Sequence, residues 1–257
     1  MAKSILRIEN IQLGTASSLT RYGDKEDSLL ITLPETAKVS CQFTNNKLKA
    51  APVKLAIEHL SHSSNGEKAF LINAGNANAA TGSQGMRDVR FYCKEMASDL
   101  NLKKENIIPF STGVIGEAFP VNNYLNAFRE AKSKLSGKNW LKAANAILTT
   151  DTKPKIISKQ VKIEKEIYSI TGFAKGSGMI RPDFATLLSF VFVDAKVNQR
   201  SLNKIHADAL DVSFNAITVD GDTSPNDSSV LVVNGNENKS IKPNSKTEKK
   251  LAHYIKE

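Results

Sequence analysis

The chain has 257 residues, of which 40% are apolar, and its formal net charge is +9. This size and composition suit a globular protein of one large or two small domains with a buried core. No apolar run reaches the roughly 18 residues that a membrane-spanning helix needs, and the first thirty residues lack the pattern of a secretory signal. We therefore expect a cytoplasmic protein with no membrane partner. Two cysteines are too few to indicate a disulfide framework or a four-cysteine zinc site.

The positive charge raises the question of nucleic-acid binding, because a basic surface attracts phosphates. The excess is spread along the chain and is densest in 239–250, a polar stretch with no aromatic side chains to stack on bases. We expect no nucleic-acid partner, although a non-enzymatic basic binding protein remains a third hypothesis behind two enzymatic ones.

Two groups of potential ligands indicate no metal site. His59 and His62 could share a helical face, but no further side chain completes a site, so we expect both to face solvent. Asp220, Asp222 and Asp227 lack the spacing of a calcium-binding loop and are interpreted as turn-forming residues.

The first half of the chain begins with strand patterns and continues with helix patterns. Short apolar runs predict strands at 28–33, 39–43 and 69–73. Behind them, apolar residues three or four positions apart predict amphipathic helices over 86–100 and 124–135, and a third helix runs from about 140 to 148.

In the second half, spaced isoleucines and valines predict an antiparallel hairpin within 156–170. A nearly continuous apolar run at 187–193 predicts a strand buried on both faces. A helix around 202–210, a strand at 230–233 and helical turns at 251–255 follow. The mixture of elements predicts an α/β fold with stacked sheet and helix layers.

Four segments stand out because they are poor in bulky side chains and rich in polar backbone. They are predicted to be loops that converge on a pocket rich in hydrogen-bond donors, and they lie at 73–82, 111–116, 149–152 and 175–178. Thr186 directly precedes the apolar strand at 187–193. On its own this placement indicates nothing, since threonine is common in strands.

These segments also carry a resemblance to a known family. Three of the blocks that carry it are Ser-Thr-Gly-Val-Ile-Gly at 111–116, Thr-Thr-Asp-Thr at 149–152 and Ala-Thr-Leu-Leu at 185–188. In this order, with further blocks on either side, the sequence resembles the bifunctional glutamate and ornithine N-acetyltransferases, which are self-processing enzymes of arginine biosynthesis. The further blocks are 13–16, 43–47, 49–53, 73–79, 174–180 and 218–227.

The resemblance implies that the chain cuts itself between Ala185 and Thr186. An alpha segment, 1–185, would then carry the oxyanion hole and substrate loops, and 186–257 would be the start of a beta segment that begins with the nucleophile. The freed amine of Thr186, with an ordinary pKa of about 7.7 to 8.0, could serve as the base for its own hydroxyl. The family also implies an N-terminal-nucleophile-like fold and a heterotetramer of two alpha and two beta segments.

The implied reaction is transfer of acetyl from N-acetylornithine to glutamate through an acetyl-threonine ester. The substrates would be small amino acids, with acetyl-CoA as a possible second donor substrate and no cofactor. The resemblance assigns Thr112 and Gly113 to the oxyanion hole, and Thr149, Lys175 and Thr186 to substrate binding. Lysine suits this task because its ammonium can hold the carboxylate of an amino acid.

One departure limits the comparison: family members continue beyond Glu257, and their remaining substrate-binding positions lie there. We therefore expect the C-terminal part of the family fold to be missing from this sequence. Two alternatives to the acetyltransferase follow. The chain could be an inactive fragment of such an enzyme, or an N-terminal-nucleophile amidase or aminopeptidase in which water resolves the acyl-enzyme.

Overall fold

The computed structural model of the chain describes residues 5–63, 66–179 and 187–257. Within these ranges the chain forms nine strands and six α-helices. In chain order these are β1 (Gln12–Ala16), β2 (Ser28–Leu33), β3 (Lys38–Phe43), α1 (Ala51–His62), β4 (Lys68–Asn76), α2 (Gly82–Leu100), β5 (Ile107–Val114), α3 (Val121–Ser133), α4 (Trp140–Ala146), β6 (Lys155–Ile163), β7 (Glu166–Lys175), β8 (Leu188–Val193), α5 (Gln199–Asp211), β9 (Ser228–Val233) and α6 (Lys246–Lys256).

The strands form two sheets that face each other across an apolar core. The first sheet has the order β1-β2-β4-β5 and the second β3-β9-β8-β7-β6. Side chains alternate between the two faces of a strand, so every second apolar residue points inward. The inner layer contains Leu29, Ile31, Phe70, Ile72 and Phe110 from the first sheet, and Phe173, Phe190, Phe192, Val230 and Val232 from the second.

Helices cover the outer faces of both sheets. Helices α2 and α3 pack on the first sheet through an apolar cluster around Tyr92 and Phe128. Helices α5 and α6 pack on the second sheet around Leu202 and Leu251. Helix α4 places Trp140 in the core between the sheets. The result is a four-layer α-β-β-α sandwich, which confirms the predicted α/β layering.

The strand register brings the predicted site residues to one end of the sandwich. Lys175, the last residue of β7, pairs with Leu188, the first residue of β8, and Leu188 pairs with Ser228 at the start of β9. In the other sheet, Thr112 and Gly113 of β5 pair with β4. The predicted segment boundary falls between β7 and β8, and both Ala185 and Thr186 lie outside the described residues.

Some elements differ from the prediction. Residues 111–114 belong to β5 rather than to a loop. The sequence did not predict this buried parallel strand, because Pro109 interrupts its apolar pattern. Neither strand β1 nor helix α1 was predicted from the sequence. Helix α6 begins at Lys246, inside the predicted polar linker, since only Leu251 on that lysine-rich helix is fully buried. None of the helices in the described ranges is both long and apolar enough to cross a bilayer.

The prediction that His59 faces solvent is wrong. His59 is buried, and its Nδ1 lies 2.7 Å from the carbonyl oxygen of Ile107. Helix α1 packs closely against β5, so the histidine becomes part of that packing and satisfies a polar group of the neighbouring strand.

A second buried histidine, His206 of α5, links the outer helix layer to the second sheet. Its Nδ1 lies 3.0 Å from Oγ of Ser40, and its Nε2 lies 3.0 Å from Oγ of Ser229. Ser189 Oγ donates to Ser229 Oγ and extends the chain of contacts into β8. Burial disfavours the charged imidazolium and lowers the pKa of His206 to about 4.

This shift makes the stability of the fold depend on pH. Above the unfolded pKa of about 6.5 the imidazole is neutral in both states; as the pH falls below it, the unfolded chain gains a proton that the folded chain resists until about pH 4. We expect this site to destabilise the protein by roughly 2 to 3 kcal/mol between pH 7.5 and pH 4.5. In denaturant unfolding at both pH values, His206→Gln should lose correspondingly less unfolding free energy between pH 7.5 and pH 4.5 than the wild type. The same replacement at exposed His62 is the control, and an equal pH dependence in the wild type and His206→Gln would contradict the assignment.

Candidate active site

The centre of the site is a hydrogen bond that joins the two sheets. Nζ of Lys175 donates to Oγ1 of Thr112 at 3.0 Å, and both residues are buried. A lysine ammonium has hydrogens to donate and no lone pair, so the threonine oxygen must be the acceptor. The hydroxyl proton of Thr112 is therefore left to be donated elsewhere.

The ammonium group of Lys175 is buried and has little contact with water. Burial lowers the pKa of Lys175, because it disfavours the ammonium form. The carboxylates of Asp151 and Asp227 act in the opposite direction, while the charge of Lys155 adds to the lowering. The two carboxylates thus offset part of the cost of burying the ammonium.

Asp151 links the segment after α4 to the end of β7. Its Oδ1 accepts a hydrogen bond from the backbone N–H of Gly176 at 2.9 Å and another from Nζ of Lys155. Burial alone would raise the pKa of Asp151, but these two hydrogen bonds and the nearby charge of Lys175 outweigh burial and lower it. Its side chain is fully buried, and Oδ2 has no hydrogen-bond partner within the described ranges.

Gly113 lies next to Thr112 at a point where two backbones nearly touch. Its φ is +137°, a conformation that side chains rarely allow. A Cβ at this position would lie 2.2 Å from the carbonyl carbon of Gly75 and 2.5 Å from the backbone nitrogen of Asn76. Only glycine fits here, and it brings backbone polar groups of β4 and β5 close together beside Thr112.

The amide side chains of the 73–82 segment form hydrogen bonds within the protein, mostly with backbone groups. Asn73 accepts from Ser111 Oγ at 2.5 Å and donates to the carbonyl of Asn76 at 2.8 Å. Asn76 donates to the carbonyl of Ala118 and accepts from the N–H of Asn78. These groups were predicted to make the pocket rich in donors, but each of them is occupied within the protein.

Thr149 lies on the segment that faces the end of β7 and is half-buried. Two residues further on, Asp151 binds Gly176, and Thr150 Oγ1 lies 3.2 Å from Ser177 Oγ. The structure therefore brings the 149–152 and 175–178 segments together, as the sequence predicted.

A second buried carboxylate, that of Asp227, binds the backbone just before β8. Oδ1 of Asp227 accepts from the backbone N–H of Leu187 at 2.8 Å, and the carbonyl of Leu187 accepts from the N–H of Ser228 at 2.9 Å. Asp227 is only 3% exposed. Its interpretation as a turn-forming residue is therefore incomplete, because it also fixes the residue that follows Thr186.

The structure brings part of the predicted site together. Thr112, Gly113 and Lys175 lie together and Thr149 lies on the adjoining segment, whereas Thr186 and Ala185 lie outside the described residues. Asp151 and Asp227 were not predicted as site residues. Both could have been noticed in the sequence, because each is an acidic residue within a block of small or polar residues that carries the family resemblance.

The site does not coincide with the cavity between the outer helices of the second sheet. A cavity of about 770 Å³ lies between α5 and α6 and is lined by charged side chains such as Arg200, Lys204, Asp208 and Glu248. Thr112 and Lys175 are instead packed against each other, so the chemistry they support is inferred from their contacts and not from an open volume.

The two sheets are stacked between helix layers, and the hydroxyl of Thr112 lies beside Gly113 at one end. This arrangement is a layered α/β sandwich, which solved acetyltransferases share. The chain matches the ArgJ family model over residues 12–257 and belongs to the ArgJ family. The arginine biosynthesis bifunctional protein ArgJ of Colwellia psychrerythraea is 42% identical over 244 residues. That match covers 91% of this chain and 58% of the relative, so the chain spans little more than half of the relative's length.

Two solved structures share the fold. The arginine biosynthesis bifunctional protein of Bacillus halodurans is 29% identical, with a TM-score of 0.60 over 68% of this chain and 91% of the solved one. The ornithine acetyltransferase of Mycobacterium tuberculosis, solved in complex with ornithine, is 26% identical, with a TM-score of 0.56 over 70% of this chain and 93% of the solved one. Both likenesses support an N-terminal-nucleophile-like acetyltransferase fold.

The contact at Gly113 generates a testable prediction. Gly113→Ala should lower the free energy of unfolding by roughly 2 to 4 kcal/mol, because the new methyl group collides with backbone that cannot rotate away. Gly116→Ala is the matched control: Gly116 lies in the same segment with φ +86°, but its Cβ would meet nothing within 4 Å. It should cost only about 1 kcal/mol of backbone strain. Equal losses for the two variants in denaturant unfolding would contradict the close approach.

Proposed function

We propose that the chain is the part of an acyltransferase of arginine biosynthesis that carries its nucleophile and oxyanion hole. The enzyme transfers acetyl from N-acetylornithine to glutamate. The observation that carries the proposal is the buried hydrogen bond from Lys175 to Thr112, which leaves a hydroxyl proton available beside Gly113. Membership of the ArgJ family and the ornithine complex of the solved acetyltransferase support the same assignment.

The first step of the proposed chemistry is self-cleavage. The hydroxyl of Thr186 attacks the carbonyl carbon of Ala185, the peptide bond breaks as the ester forms, and water then hydrolyses the ester. This releases a carboxylate on Ala185 and an amine on Thr186. The position supports such a role, because Asp227 and Ser228 fix Leu187, the residue that follows the nucleophile.

In the second step the amine of Thr186 takes the proton of its own hydroxyl as the oxygen attacks the acetyl group of N-acetylornithine. Ornithine leaves with that proton, and the acetyl group remains as a threonine ester. The amine of glutamate then attacks the ester and regenerates the threonine. Each attack passes through an oxyanion that the hydroxyl of Thr112 and the N–H of Gly113 stabilise.

The substrates are held by groups on both segments that meet at the site. Lys175 can offer its remaining ammonium hydrogens to a substrate carboxylate, and Thr149 borders the same region. Acetyl-CoA is a possible second donor, and the reaction needs no cofactor. We infer that the enzyme is cytoplasmic and assembles as a heterotetramer of two alpha segments (1–185) and two beta segments that begin at Thr186.

Self-cleavage can be tested by intact-mass measurement during ageing of the purified chain. We expect two fragments that correspond to 1–185 and 186–257, because the nucleophile and the bond it attacks lie in this chain. Thr186→Ser should still cleave, since it keeps a hydroxyl, whereas Thr186→Ala should remain whole. A folded wild-type chain that never cleaves would count against processing.

Acetyl transfer is tested by incubating N-acetylornithine with and without glutamate. Acetylglutamate should form only when glutamate is present, whereas free acetate produced regardless of glutamate would indicate the amidase alternative. Thr112→Val should lower kcat by about 10²- to 10³-fold through loss of one oxyanion donor. Thr15→Val is the control, because Thr15 of β1 is also a buried threonine, and its hydroxyl donates to the charged side chain of Glu26. Equal effects of the two substitutions would remove Thr112 from the oxyanion hole.

A further inference from the structure

We propose that Asp151 is a positioning residue of the oxyanion hole: it holds the positive charge on Lys175, and that charge sets the direction of the Thr112 hydroxyl. The inference rests on the proposed function, which makes Thr112 an oxyanion donor. It concerns a residue other than the proposed nucleophile and the two proposed oxyanion-hole residues.

The contacts of Asp151 place its charge beside the end of β7. Oδ1 is fixed by the N–H of Gly176, the residue directly after Lys175, at 2.9 Å. Oδ2 is buried and has no hydrogen-bond partner within the described part of the chain. Oδ1 also accepts from Nζ of Lys155, and this ion pair offsets part of the charge of Asp151. Because the side chain is buried, water screens the remaining charge little, and the carboxylate still acts on Lys175.

The protonation state of Lys175 decides what Thr112 can do. When Lys175 is an ammonium ion, it can only donate, so Oγ1 of Thr112 accepts and the hydroxyl proton faces another group. When Lys175 is a neutral amine, its lone pair can accept that proton. The hydroxyl would then turn towards Lys175, and the oxyanion hole would lose one donor.

Three charged groups act on Lys175 besides its own burial. Asp151 and Asp227 raise its pKa, with Asp151 the stronger of the two, while Lys155 lowers it. Asp227 also fixes the entry to β8, so its removal would disturb the nucleophile directly. Asp151 is therefore the carboxylate whose substitution isolates the effect of charge on Lys175.

The test is Asp151→Asn, which keeps an oxygen to accept from Gly176 and removes the charge. The titration of Lys175 is followed by NMR on the intact protein with ¹³Cε-labelled lysine, and the signal is assigned by its loss in Lys175→Met. We expect the pKa of Lys175 to fall, because a carboxylate charge that favours the ammonium form is lost. The alkaline limb of kcat for acetyl transfer should move down by the same amount.

Three further variants separate charge from structure. Asp151→Glu should restore most of the titration and of the pH profile, because it restores the carboxylate. Lys155→Gln should shift the pKa of Lys175 slightly in the opposite direction, since it removes a like charge. Asp194→Asn is the matched control: Asp194 is a mostly buried aspartate paired with Lys239 at the end of β8, and its loss should leave both readouts unchanged.

The outcomes separate this inference from the function on which it rests. An unchanged Lys175 titration in folded Asp151→Asn, or an unchanged alkaline limb despite a shifted titration, overturns the role of Asp151. If the wild type transfers no acetyl group, the proposed function fails, and the NMR titration still decides whether Asp151 controls the charge of Lys175. A lowered pKa together with a shifted alkaline limb and rescue by Asp151→Glu supports the inference.

Discussion

The hydrogen bond between Lys175 and Thr112 is the interaction on which the architecture of this end of the molecule depends. An ammonium group taken out of water costs several kcal/mol unless polar and oppositely charged groups surround it. The fold provides those groups from different elements: a hydroxyl from β5 in the first sheet and carboxylates from the segments after α4 and before β9. One buried charge thereby ties both sheets and two loops to a common geometry.

The surrounding segments show how a core can tolerate so much polar backbone. Small residues such as Gly113 allow strands to approach until no side chain fits, and this leaves peptide groups with little access to water. Asn73 and Asn76 satisfy several of those groups internally. Among the described residues these amides are occupied, so the proposed chemistry at this end depends on the hydroxyl of Thr112 and the ammonium of Lys175.

The sequence predicted the layered fold well, because apolar periodicity reports directly which face of an element is buried. It failed for β5, where a proline and small residues hide a buried strand, and for His59, since periodicity does not show whether a polar residue is satisfied inside. Thr112, Gly113, Thr149 and Lys175 were found through the family resemblance. Asp151 and Asp227 were missed because an acidic residue in a loop looks the same whether it caps a turn or faces a buried lysine.

The order of strands in the second sheet has a consequence for assembly. Strands β8 and β9 lie between β3 and β7, so the residues after position 186 are hydrogen-bonded on both sides to residues before position 185. If the chain is cut at Thr186 as proposed, folding should come before the cut, since this sheet is most readily built while the chain is continuous. Once cut, the same sheet would have to reform from two separate molecules. The mature protein would then owe its persistence to slow unfolding, and its recovery from denaturation would depend on concentration.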